Sequence, residues 1–557
     1  MRFLKSLTLF VLFSTLTLAQ TPTSSTLAAS DSNVADQLKK MQDALAEQQK
    51  QITLQQQEIE ALRGQLAAKP EAHVVDAAMH TAQPVDGLAI PAAVAQNTAL
   101  STPEEQPKNS PLSFRIGAAD FTPGGFVDFT SVFRTTNTGN VVGTNFNLIP
   151  FNNTIQEHLT EFRMSAQHSR LSMKVNTNYG ENKIAGYVEA DFNGNDPANV
   201  FVSTNSHTNR LRLYWVDLKR GKWEILGGQS WSLLTPNRVG ISPDPNDVFS
   251  TRNMDTNYQV GLAWARQAGF RLGYHPDEHW ALALGVENPQ QYVGIGETIF
   301  PFAFNAQLGV QFDAANNPGT PNLHPDIIPK ITYDNNFGGG RHFHGEVAGL
   351  LTTVKLTDIQ NPSPFGVFVN HSTTGGGGSG AINVDLFKQL KFVGSAFYSY
   401  GGGRYLFGMG PQAVVRPVGA GVLGSPFDLR TSMVHAGGTV MGFEAPVSNS
   451  ITLAGYYGGA YFQRNFFCDV TSPSVGTCGG KPFIGFGGPN SPNTANRALQ
   501  EGTFDWIQTF FKNPQYGSLQ LIMQYSYLTR SPWFVPAGAP KNAHLSMAYV
   551  DLRYVLP

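Results

Sequence analysis

In the first part of the large alternating region, charged side chains recur at every second position of short segments. Arg170 and Lys174 alternate with Leu171, Met173 and Val175; Glu189 and Asp191 with Val188 and Ala190; Arg210 and Arg212 with Leu211 and Leu213. A turn-rich stretch over 233–256, LLTPNRVGISPDPNDVFSTRNMDT, adds Arg238, Asp244, Asp247 and Arg252. In a narrow aqueous passage with low-dielectric walls, a few such charges focus the field and decide which ions enter. Paired across the lumen, the same residues would instead stiffen the wall. The region from 114 onward holds about 30 basic and 29 acidic side chains, so there is no bulk field of either sign. The bases are mainly Arg, which suits bidentate contact with carboxylates. Glu189 and Asp191 could equally set up a transverse field.

Other constellations carry less. His342, His344 and Glu346 in RHFHGE share one face of a strand, a pattern that fits polar lumen lining better than a metal shell. The GGGG at 375–378 and the GGGR runs at 338–341 and 401–404 are followed by no helix. They read as outer loops or close strand approaches, not phosphate cradles. GGQSW breaks the Gly-x-Ser-x-Gly pattern, although outer-membrane hydrolases need not use it. Neither catalytic residues, nor a metal, nor a cofactor is expected. Cys468 and Cys478, the only cysteines, are expected to close a small loop as a disulfide. A net charge of −2 argues against a nucleic-acid partner.

These residues need elements to position them, and the chain changes character three times. Residues 1–19 combine a basic start, a short apolar run and a small-residue cleavage point before Gln20, which reads as an export signal. Over 31–66, Leu38, Leu45, Ile52, Ile59 and Leu66 fall at a positions, and Val34, Met41, Gln48, Gln55 and Leu62 at d. That predicts a coiled coil, with dimer and trimer both open. An Ala/Pro-rich linker follows over 67–112.

From 113 to 557 the period is two. LSMKVNTNY (171–179) and KIAGYVEADF (183–192) alternate apolar with polar and are joined by a turn of about three residues, so they pair as a hairpin. Mid-strand charges, segments of about ten residues and aromatics near their ends match a barrel with lipid outside and water inside, not a soluble sandwich. Short turns at 180–182 and 220–221 alternate with long loops at about 135–158, 194–209 and 233–256. The fold class is therefore all-β, a transmembrane antiparallel β-barrel of about 16 strands, preceded by an α-helical coiled coil. On the segment from 210, Leu211, Leu213 and Trp215 are expected to face lipid and Arg210, Arg212 and Tyr214 the lumen. Pairing across Arg220-Gly221 then leaves Trp223 and Ile225 inward, a misfit that a bulge or a subunit interface could repair.

The order of SRLSMKV, GYVEADF, RLRLYWVDL and GGQSWSLL after a secreted coiled coil resembles the DcaP-type outer-membrane porins. The resemblance is clearest over 160–234. It implies a homotrimer held through barrel wall and coiled coil, with the coiled coil in the periplasm. It also implies an inward-folding loop over about 233–256 and passive diffusion of small polar or anionic, dicarboxylate-like solutes. Outer-membrane lipid is the expected surround, and peptidoglycan a possible partner of the coiled coil. Competing classes are a tethering or adhesin barrel and an outer-membrane hydrolase. The chain departs from the usual aromatic terminus by ending Tyr554-Val555-Leu556-Pro557.

Overall fold

The alternation becomes strands that close on themselves. The computed structural model describes residues 110–194, 207–306, 311–314, 319–359, 368–418 and 428–557. The export signal, the coiled coil and nearly all of the linker lie outside the described residues. Sixteen antiparallel strands form the barrel, here numbered in chain order. They are β1 (Ala119–Arg134), β2 (Glu161–Ser165 and Arg170–Tyr179, one strand with a break), β3 (Asn182–Asp191) and β4 (Arg210–Arg220). Next come β5 (Trp223–Trp231), β6 (Arg266–Tyr274), β7 (Trp280–Glu287), β8 (Asp326–Phe337), β9 (Arg341–Ile359) and β10 (Phe368–Phe387). The last six are β11 (Leu390–Tyr400), β12 (His435–Pro446), β13 (Ile451–Phe462), β14 (Asn496–Asn513), β15 (Gly517–Pro532) and β16 (Ala543–Val555).

β16 pairs with β1, Phe126 opposite Val555 and Arg134 opposite Met547, so no edge is left unpaired. Closure is what allows a sheet to sit in hydrocarbon, where an unpaired backbone group costs several kcal/mol. One end of the barrel carries only short turns; the other carries long loops. The hairpin of β2 and β3 has Tyr179 opposite Asn182, and Gly180 takes φ +59 in the turn.

Along β1, Val127, Phe129 and Phe133 are exposed while Asp128, Thr130 and Arg134 are buried, which puts the apolar face outside. Exposed Tyr179, Trp223, Trp280, Phe387 and Tyr516 flank the short turns, and Phe162, Phe368, Tyr398, Tyr461 and Tyr527 lie near the loop end. Two aromatic girdles bounding an apolar band are what a membrane barrel presents to lipid.

The segment from 210 corrects the sequence reading. Glu189 pairs with Leu213 and Ala190 with Leu211, leaving Arg212 as the extra residue of a β-bulge. Past a bulge the inside and outside of a strand exchange. Leu211 faces out as expected, but Leu213 and Trp215 turn inward, 0% and 4% exposed, and Tyr214, Val216 and Leu218 face out. Trp215 therefore stacks on Tyr187 inside the barrel, 5.4 Å between centroids, and is not in the girdle. Downstream, Leu218 pairs with Ile225 and Arg220 with Trp223, so Ile225 and Trp223 face lipid and the misfit on β5 disappears.

The glycine runs serve the sheet in different ways. Gly375–Gly378 lie inside β10, where a Cβ on Gly375 would meet the Tyr400 carbonyl oxygen at 2.1 Å and one on Gly377 would meet Ser399 at 2.6 Å. The run at 338–341 is a short turn, not an outer loop, and that at 401–404 opens a long loop. Cys468 and Cys478 are joined by a disulfide within the loop between β13 and β14.

Candidate pore constriction

The long loop 232–265 lies across the inside of the barrel, and its own sequence explains how it is held. Leu233, Leu234 and Ile241 join an apolar cluster with Ala281, Ala283, Ile328, Ala348 and Leu350, inward residues of β7, β8 and β9. Val248 packs with Tyr187, Leu213, Trp215 and Leu226. Burying each large aliphatic chain contributes about 1.5–3 kcal/mol. The bulge at Arg212 thus has a use: it turns Leu213 and Trp215 inward as a seat for the loop.

Polar wall residues fix the loop's backbone. Lys330 Nζ donates to the Thr235 carbonyl and to Asn237 Oδ1, 3.1 and 2.7 Å. Glu346 accepts from the Asn237 amide at 3.0 Å, and Asn383 donates to the Asn237 carbonyl at 2.8 Å. Asp334 accepts from the Gly240 amide, Arg271 donates to the Ile241 carbonyl, and Glu501 accepts from the Val260 amide. These partners come from β6, β8, β9, β10 and β14, so the loop is tied around much of the circumference. His344 belongs to the same suture: one ring nitrogen meets Asp334 at 2.8 Å and the other meets Glu346 at 3.0 Å. Both nitrogens are already used by carboxylates, which suits the structural reading of RHFHGE.

Beside the loop lies a cavity of about 980 Å³. Its charged lining is Lys174, Arg238, Arg252, Lys391, Lys512 and Arg553, with Asp244 and Asp247 from the loop and His342 from β9. The acids that balance most of these bases stand behind them. Glu444, fully buried, accepts from Arg238 at 2.7 Å, from Arg252 at 3.1 Å and from Tyr456 at 2.8 Å. Asp128 and Asp551, also buried, hold Arg553 at 2.9 and 3.3 Å, and Asp385 stands 3.4 Å from Lys391. Lys174 alone pairs with an acid in the lining, Asp244, at 2.7 Å. Glu444 beside Arg252 holds that guanidinium firmly protonated, and burial pushes the Asp247 carboxyl up. The water-facing surface is therefore cationic although the region's charges nearly cancel.

Of the ten charged residues singled out from the sequence, Lys174, Arg238, Asp244, Asp247 and Arg252 line this cavity. Arg170, Glu189, Asp191, Arg210 and Arg212 do not. They form a network in which Arg212 donates to Glu189 and Asp191 at 2.7 Å each, Arg210 adds a two-pronged contact to Asp191, and Arg170 stands 3.6 Å from Glu189. Arg212, Glu189 and Asp191 are almost wholly buried. Lys391, Lys512 and Arg553 went unnoticed in the sequence because they sit in the half of the barrel placed by alternation alone.

Toward the loop end lies a second chamber of about 580 Å³, lined by Asn140, Asn145, Asn147, Asn257, Gln267 and Gln290, with Trp264, Tyr292 and Phe407 among them. Arg404, which also lines it, is bound to Asp326 at 2.6 Å.

No protein-family model matches the chain, and no curated protein does. Among solved structures it is similar to the outer membrane channel DcaP of Acinetobacter baumannii, at 15% identity over 79% of this chain and 97% of that one, TM-score 0.51. An anion-selective porin from Comamonas acidovorans aligns at 10% identity over 78% of this chain and 99% of that one, TM-score 0.41. Pseudomonas putida OprB aligns at 10% identity over 78% and 94%, TM-score 0.40. The first likeness shows the fold. The resemblance first read from four short segments thus extends to a closed, 16-stranded transmembrane barrel of the kind that DcaP forms.

Proposed function

We propose that this chain is a passive outer-membrane porin for small polar, anionic solutes of the dicarboxylate type. The observation that carries this reading is the layering of charge at the constriction, with Arg238, Arg252, Lys391 and Arg553 at the water and Glu444, Asp385, Asp128 and Asp551 behind them. A solute carboxylate in the cavity meets these bases at closer range than the acids behind them, six bases stand against the two acids of the lining, and in a low-dielectric setting range decides the sign. Transport is diffusive, from the loop end at the outside to the short-turn end at the periplasm. Three barrels associate through their walls and through the coiled coil, whose heptads admit a trimer. No step of bond chemistry is part of this reading.

Single-channel recording of the detergent-folded protein in a planar bilayer, under a salt gradient, tests it. Openings in three equal steps with a reversal potential toward that of the anion are expected. A cation-selective reversal potential would remove the anionic solute, and a folded barrel that never conducts would remove the porin.

A further inference from the structure

The loop-end chamber differs from the constriction in its chemistry. Its Arg404 is already bound to Asp326, its one carboxylate, Asp313, accepts from Gln290 at 2.6 Å, and the remaining polar lining is dominated by carboxamides. Asn145 makes no side-chain hydrogen bond among the described residues, and Asn140 and Asn257 spend only their NH₂ groups, on the Thr138 and Thr144 carbonyls. A carboxamide offers donor and acceptor side by side, the complement of a hydroxyl, which is both. Between these amides stands an aromatic wall. Phe407 stacks on Trp264, with centroids 5.3 Å apart and planes 18° apart. Tyr292 fixes the turn beyond by donating to the Gly408 carbonyl at 2.9 Å. Phe407 is held at φ +55, a left-handed conformation that costs energy for a residue with a Cβ. Strain of this kind persists where the surroundings impose it and is concentrated at ligand sites. The Trp264 amide, donating to the Tyr405 carbonyl at 2.8 Å, ties the two aromatics to one frame.

We infer that this chamber is a binding site for an uncharged, hydroxyl-rich ring, a sugar unit. The C–H face of the ring would lie on the side of Phe407 that Trp264 leaves free, where the π-face is negative, and its hydroxyls would meet Asn140, Asn145 and Asn257. The size of the chamber falls within the range of small-molecule sites. The site is separate from the cationic constriction and does not depend on its selectivity.

The test is current interruption in the full-length protein in planar bilayers, with maltotriose added to one side and then the other. A polyethylene glycol of the same hydrodynamic radius serves as the non-stacking comparison. Maltotriose is expected to give resolved interruptions, and Phe407→Ala to shorten their residence time by about fivefold, the scale of one aromatic contact. Asn145→Ala, which disturbs no internal bond, should shorten it less. Each variant's own open-channel current reports that it has folded. Interruptions no longer than those from the polyethylene glycol, or residence times unchanged in both variants, would overturn the assignment. The reversal potential of the same channels reads the anionic preference independently, so loss of one reading leaves the other standing.

Discussion

The two chambers share a loop and almost nothing else. Residues 238–254 of the loop border the constriction, whereas Asn257 and Trp264, a few residues on, border the loop-end chamber. In the first, six bases line the cavity with only Asp244 and Asp247 beside them, and most of the balancing acids stand behind; in the second, carboxamides and aromatics predominate. The difference teaches that one polypeptide segment can border a base-rich cavity on one side and a cavity rich in carboxamides and aromatics on the other. On the proposed readings the two act by different physics: one is long-ranged and screened by salt, the other short-ranged and indifferent to it.

The largest expected effect comes from the charges that hold the constriction together. Glu444→Ala leaves Arg238 and Arg252 without their shared buried acid, and loss of one member of a buried pair costs about 3–5 kcal/mol. The variant should lose its defined conductance and unfold at lower temperature by the heat-dependent gel shift; a wild-type conductance would mean that the loop does not rest on Glu444. Next, Lys174→Glu combined with Lys512→Glu should lower the anion-to-cation permeability ratio on the order of tenfold, as expected for reversing charges in a focused field. An unchanged reversal potential would show that the filter lies elsewhere. Arg212→Ser, by contrast, should weaken folding more than selectivity, because its partners Glu189 and Asp191 are sealed from the water.

Ionic strength sharpens the comparison without any mutation. The screening length falls from about 10 Å at 0.1 M salt to about 3 Å at 1 M. Anion preference should therefore decline toward unity across that range, while maltotriose residence times stay constant. Parallel decline of both would mean that the chambers are not distinct.

The smallest effect concerns pH. Glu297, in the loop between β7 and β8, is fully buried, accepts from Asn147 at 2.9 Å, and is pushed up by burial to about 8. Because its folded value lies above the unfolded one, its contribution is complete below the ordinary glutamate range and is lost as pH rises toward 8. The contact with the first long loop should thus loosen between pH 5 and pH 8, seen as faster proteolysis of that loop, and Glu297→Gln should flatten the dependence.

The sequence made the wall legible because a strand declares its two faces locally: Val127, Phe129 and Phe133 against Asp128 and Thr130 need no distant partner to be read. The alternation of short turns with long loops was legible for the same reason. The phase change at Arg212 was not, since a bulge is defined by the strand opposite; only its symptom, Trp223 and Ile225 on the wrong face, showed. At the constriction the loop's own charges could be read, but not which bases face water. That depends on Glu444, Asp128 and Asp551 arriving from β12, β1 and β16, which are remote in sequence and joined only by closure of the barrel. The loop-end chamber was invisible for a further reason: Asn145, Trp264 and Phe407 belong to different loops with no periodic pattern.

The loop's attachment to so many strands also has a physiological meaning. A segment fixed through Lys330, Glu346, Asn383, Arg271 and Glu501 cannot swing aside unless several buried bonds break together. On the proposed reading, the exclusion limit of the barrel is then set at folding by these bonds. If the barrel is the passive porin proposed, a cell using such an aperture would regulate uptake by how many copies it installs, and each copy would admit solute in proportion to what the medium supplies.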